Sequence, residues 1–124
     1  MAQKKKRQLS LSVFVQLYGT HADAWRQPHI KVGGAPDINE WAKIVKVLER
    51  GKFDFAFFAD FVGSGGDDVH KIDRRPRGGS FDPLTMVAAL AHQTERIGLV
   101  ATANTNFNEP YDLARRLAGY RAVA

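Results

Sequence analysis

The chain has 124 residues, 44% hydrophobic and 25% charged, proportions that suit a single globular domain. It has no cysteine, which excludes a disulfide framework and thiolate metal sites and fits a reducing cytoplasm, the expected location. The net charge of +5 is concentrated in Lys4, Lys5, Lys6 and Arg7: residues 1–8 read as a basic flexible leader rather than the aromatic-interleaved stripe of a nucleic-acid binder, and no apolar run is long enough for a membrane span or secretory signal.

Leu9, Leu11, Val13, Val15 and Leu17 alternate with Ser10, Ser12, Phe14 and Gln16, which predicts a first strand by its period of two. From Tyr18 to Pro36 the chain is polar, with Gly33-Gly34 and two prolines, and reads as a long loop. Asp37 stands three residues before Glu40 in a capping pattern, and Trp41, Ile44, Val45 and Leu48 recur at helical spacing before Gly51 supplies a stop. The run Phe53-Asp54-Phe55-Ala56-Phe57-Phe58 predicts a strand covered on both faces and ending at Ala59-Asp60.

Phe61 to Phe81, with Gly63, Gly65, Gly66, Gly78 and Gly79, reads as a mobile surface loop. Asp82-Pro83 then restarts a helix, the aspartate as cap and the proline in first position, with Leu84, Val87, Ala88 and Ala91 as its inner face. Ile97 to Ala101 is the third strand. A last helix opens near Asn108 or Glu109 with Pro110 in its first turn, and places Leu113, Leu117 and Tyr120 on one side.

The alternation of strand and helix predicts βαβ units and a parallel sheet. Connections leaving the strands are long and polar, whereas those entering them are two or three residues. Ligands in parallel α/β folds lie at the carboxyl ends of the strands, where the long loops gather.

Several polar side chains with possible chemistry follow the strand ends. Asp60 closes an aromatic strand, where a carboxylate must be solvated, paired or used; its bland alternative is a turn or helix cap. Thr102, Asn104 and Thr105 bring hydroxyl and amide groups to the third strand exit, suited to a heteroaromatic edge or a phosphate, or equally to local turn bonding. His21, Trp25, Arg26 and His29 are either a pocket wall or solvated loop residues. Asp67, Asp68, His70 and Asp73 have metal-ligand composition without metal-site spacing, so no metal is expected, and no phosphate-cradling glycine motif or nucleophile elbow is present.

Trp25-Arg26, "LERGKFDFAFFAD", "DPLTMVAALAHQTERIGLVATA" and "NEPYDLARR", in this order and at these separations, resemble the bacterial luciferase-like flavin-dependent monooxygenases, in the branch of the nitrilotriacetate, dibenzothiophene-sulfone and long-chain alkane enzymes. The resemblance implies a (β/α)8 TIM barrel, of which residues 9–124 hold about the first three βα units. It implies FMN, bound as FMNH2 and delivered by a separate NAD(P)H:flavin reductase. It also implies O2 as co-substrate, a C4a-peroxide that oxygenates a small organic substrate, and a homo-oligomer in the full-length enzyme. Carried over by motif, Asp60 becomes a flavin contact, although Phe61 replaces the serine that follows it in the family. Thr102, Asn104 and Thr105 become further contacts, with Asn104 where the family places a hydroxyl. The resemblance assigns no catalytic residue. Because a barrel cannot close with three units, the chain is expected to be a truncated, N-terminal fragment of such a monooxygenase, active or inactive by itself; the alternative is a non-catalytic fragment acting only through association with a partner.

Overall fold

The computed structural model describes residues 8–21, 23–28, 30, 37–60 and 81–123, with the backbone alone described for Trp25 and residues 121–123. The expected loop from Phe61 to Phe81 therefore lies outside the described residues except for its last member, as does the leader except for Gln8.

Three parallel strands, β1 (Ser12–Phe14), β2 (Phe55–Phe58) and β3 (Gly98–Ala101), lie in the order β1-β2-β3. Helices α1 (Ile38–Arg50) and α2 (Pro83–Ala91) connect them, and α3 (Pro110–Val123) follows. Ser12 pairs with Phe55 and Phe55 with Gly98, so both βα units advance by the same 43 residues that separate Leu11 from Asp54. The predicted order of elements and the parallel pairing are thus present.

Because successive strand residues face opposite ways, the register sorts the sheet into two unlike surfaces. Val15, Ala56 and Phe58 are buried with Ala42 and Val45 of α1, Met86 and Leu90 of α2, and Ile97. Trp41 meets Phe58 edge-on, with ring centroids 5.9 Å apart. The other surface carries the row Phe14, Phe57 and Val100, where Phe14 is 48% and Val100 40% exposed. Phe14 and Phe57 stack at 5.5 Å with tilted planes. Among the described residues α1 and α2 cover β2 on one side, and Phe55 and Phe57 on the other stay half-buried, so the expected cover on both faces is present on one.

Three local readings also change. β1 is three residues long rather than nine, because a strand needs a partner: Leu9 is 91% exposed, and pairing ends where the Val15 N–H donates to the Phe57 carbonyl at 3.0 Å. The chain then turns through Gly19, whose φ of +82° suits a residue without Cβ. In α2 the core face is carried by Met86 and Leu90 with Leu84 buried beside them, not by Ala88 and Ala91.

The stop of α1 is shifted by one residue. Gly51 keeps helical angles, and the left-handed position falls on Lys52 at φ +60°. Phe53 N–H donates to the Leu48 carbonyl at 3.1 Å and Lys52 N–H to that of Glu49 at 3.0 Å. This pair of bonds is a Schellman closure with lysine where glycine is usual. At the helix starts, Asp37 accepts from the Asn39 N–H at 2.9 Å, while Glu40 turns to Lys43 at 2.7 Å. Asp82 accepts from both the N–H and the hydroxyl of Thr85 at 2.7 Å, with Pro83 in first position as predicted.

Candidate functional site

At the carboxyl edge of the sheet, β3 leaves its partner gradually. The Thr102 N–H still donates to the Phe58 carbonyl at 3.0 Å, so the strand alternation holds through this residue and puts it on the side of Val100. Asp60 lies two residues beyond Phe58 and is half-buried. The same alternation followed past the strand end would put it on the helix-covered side. The predicted residues therefore share one end of the sheet, yet no hydrogen bond or ion pair among the described residues joins Asp60 to Thr102, Asn104 or Thr105.

Asn104 is half-buried and its side chain is engaged locally. Its Oδ1 accepts from the Asn106 N–H at 2.9 Å, closing an Asx turn, and its carbonyl accepts from Asn108 Nδ2 at 2.7 Å. Asn108 Oδ1 in turn accepts from Arg116 Nη1 at 3.2 Å, tying the loop to α3. Thr105 is exposed at the tip of that turn. The turn-bonding reading holds for Asn104 Oδ1, and its Nδ2 has no partner among the described residues.

The loop after β1 also bonds to itself. His21 Nδ1 accepts from the Asp23 N–H at 3.2 Å, and Arg26 Nε lies 3.4 Å from Asp23 Oδ1. The Trp25 side chain, His29 and the acidic cluster of Asp67, Asp68, His70 and Asp73 lie outside the described residues.

The amino edge holds two carboxylates with tight roles that sequence reasoning missed. Asp54 Oδ2 accepts from the Leu11 N–H at 2.6 Å, while Asp54 N–H donates to the Leu11 carbonyl at 2.9 Å and the Gly98 N–H to the Asp54 carbonyl at 2.8 Å. One residue thereby fastens all three strand starts. Glu49 Oε1, in the last turn of α1, accepts from the N–H groups of Glu95, Arg96 and Ile97 at 2.9, 2.6 and 3.0 Å. Those bonds, from Arg96 first and then Glu95 and Ile97, hold its carboxyl below the usual glutamate range. A signal for Asp54 existed, a single carboxylate interrupting an aromatic run; Glu49 gave none, since its partners lie 46 to 48 residues away.

This division follows the general asymmetry of parallel α/β sheets, in which the amino edge serves stability and the carboxyl edge serves binding. At the carboxyl edge the Thr102 hydroxyl stands on the side of the open row Phe14, Phe57 and Val100, while the Asn104 amide and the Asp60 carboxylate lie at the same end of the sheet.

Comparison with known proteins gives a consistent result. Residues 14–121 match the family described as luciferase-like monooxygenase. The chain is 40% identical over 120 residues to nitrilotriacetate monooxygenase component A of Aminobacter aminovorans, covering 90% of the chain and 26% of that protein. It is 35% identical over 114 residues to N-acetyl-S-(2-succino)cysteine monooxygenase of Bacillus subtilis (92% and 25%), and 31% identical over 103 residues to long-chain alkane monooxygenase of Geobacillus thermodenitrificans (76% and 22%). The chain spans about a quarter of the length of these curated relatives.

Proposed function

This chain belongs to the luciferase-like monooxygenase family, and from that premise we propose that it forms the first three βα units of a (β/α)8 barrel in an FMNH2-dependent enzyme that uses O2 to oxygenate a small organic substrate. The observation that carries this reading is the carboxyl edge of the sheet, where Thr102 follows Val100 on the side of the apolar row Phe14, Phe57 and Val100, and Asn104 and Asp60 lie at the same end. A flavin ring has apolar faces and an edge of carbonyl and N–H groups, so an apolar floor with a hydrogen-bonding rim fits it. The uncovered row also supports the barrel, since closing the sheet would turn that row inward and remove it from water.

Reduced FMN bound at this edge supplies the electrons for activating O2, chemistry that side chains alone do not provide. The chain's own residues would position it. Thr102 and Asn104 bond the polar edge of the ring, Thr105 extends that rim, and Asp60 accepts from a flavin N–H or hydroxyl. Phe14 and Phe57 keep water from the underside. A separate NAD(P)H:flavin reductase delivers the reduced cofactor.

The test is fluorescence-quenching titration with FMN, followed by O2 consumption with reductase and NAD(P)H present. Asp60→Ala is expected to weaken FMN binding by about tenfold, the effect of one lost hydrogen bond to a polar group. Unchanged affinity would remove Asp60 from the site; absence of both binding and flavin-dependent O2 consumption would remove the function.

A further inference from the structure

The amino edge of the sheet gathers cations around one carboxylate. Arg50 follows Glu49 at the end of α1, the Lys52 N–H donates to the Glu49 carbonyl at 3.0 Å, and the Arg96 N–H donates to Glu49 Oε1 at 2.6 Å. Arg50, Lys52 and Arg96 are exposed, and none of them forms an ion pair among the described residues. Asp54 bonds the Leu11 N–H at the same edge. Lys4, Lys5, Lys6 and Arg7 precede Leu11 by four to seven residues, so the basic leader joins the fold here. Seven cations thus stand on this edge or lead into it, against the three acids Glu49, Asp54 and Glu95. Lys52 moreover holds the left-handed position at φ +60°, where glycine would be less strained, so this edge carries a charge on strained backbone. Beside the tetrad in the chain, Leu9 is 91% and Leu11 49% exposed, and among the described residues this edge has no exposed aromatic side chain.

We propose that the amino edge is a docking surface for an anionic lipid bilayer, with the cations on phosphate and carboxylate headgroups and Leu9 at the boundary with the acyl chains. A nucleic acid would offer similar phosphates, but its bases would find no ring to stack on at this edge, and Leu9 no apolar partner. The proposal does not rest on the flavin reading. Because the carboxyl edge lies at the other end of the strands, a docked chain keeps that edge toward solution.

The test is sedimentation of the full chain with lipid vesicles. The chain should pellet with phosphatidylcholine vesicles containing about 30% phosphatidylserine and stay in solution with phosphatidylcholine alone, and raising salt from about 0.1 to about 0.5 M should release it. Arg50→Gln, Lys52→Gln and Arg96→Gln together should weaken binding by at least about tenfold, given about fivefold for each charge near such a surface, with the circular-dichroism spectrum unchanged. Lys52→Gly removes the charge and the strain at once: binding should fall by about fivefold while the chain melts no earlier than the parent. Lys43→Gln removes a charge already paired with Glu40 and should bind within about twofold of the parent. Failure to pellet with the anionic vesicles would overturn the proposal. So would parent-like binding by the triple variant, which would leave the leader acting alone, or release of the chain from the vesicles by duplex DNA at equal phosphate concentration, which would make the partner a nucleic acid.

Discussion

At the amino end of the sheet, Asp54 and Glu49 commit their oxygens to backbone N–H groups: one from Leu11, and three from the connection that enters β3. At the carboxyl end, Thr102 and Asp60 keep polar side chains free of such bonds among the described residues, and Asn104 is bonded through one end of its amide alone. The contrast teaches how a parallel sheet separates its tasks. Short entering connections carry carboxylates that satisfy the backbone, so those edges tolerate little change. Long leaving connections carry polar groups that stay without protein partners among the described residues.

The amino edge is most sensitive to substitution at Gly98. A Cβ there would lie 3.1 Å from the Asp54 carbonyl oxygen and 3.1 Å from the Phe55 Cβ, tight contacts that β2 can relieve only by giving a few tenths of an ångström, and a branched side chain adds to them. Gly98→Val should cost up to about 3 kcal/mol, the scale of an overpacked core position, measured by urea unfolding of the full chain. An unchanged midpoint would mean that the amino edge is less constrained than its bonds imply.

A smaller effect is expected at Glu49, with a pH signature. Its carboxyl titrates below the ordinary value of 4.5 when folded, so its contribution is present above the unfolded pKa and is lost as pH falls through the folded one. Glu49→Gln keeps an acceptor and removes the charge. Its melting temperature should lie below the parent's at neutral pH, and the gap should narrow as pH drops below 4.5. Parallel curves across that range would show that the charge contributes nothing.

The smallest stability effect belongs to the carboxyl end. Thr102→Val preserves shape and the backbone bond to Phe58 and removes only the hydroxyl, so stability should change by less than about 0.5 kcal/mol, while FMN affinity in the quenching assay falls severalfold. If unfolding shifts and binding does not, Thr102 belongs with the structural residues of the opposite edge.

Much of this layout was legible in the sequence because it depends on local chemistry. Asp82-Pro83 announces α2 by a cap and a fixed φ, and both act as read. The parallel order follows from alternating periods along the chain. Two kinds of detail were not legible. One depends on what covers a surface: the aromatic run of β2 looks the same whether one or both of its faces are packed. The other depends on long-range partners, as with Glu49, whose acceptor role appears only once the connection entering β3 folds back over the end of α1. At Lys52 a legible preference was off by one residue: glycine preference points to Gly51, and the bonding pattern of the helix end puts the left-handed position at Lys52. At the site, the strand-end polar residues were visible as a group. Their division into turn-bonded and outward-facing atoms required the Asn104–Asn106 geometry.

The equal 43-residue advance of the two βα units has a kinetic consequence. Neither strand pair can form by a hairpin, so each pairing waits for its intervening segment to close, an entropy cost of roughly 3 kcal/mol beyond a constant for that length. The first structure to accumulate should therefore be helical, with α1 and α2 gathering Val45, Met86 and Leu90 before β2 finds either neighbour. Refolding should show helical signal ahead of sheet formation and a slow overall rate, as expected when contacts are distant in sequence. During that interval the Phe53–Phe58 run is unpaired, which makes it the segment most exposed to wrong association.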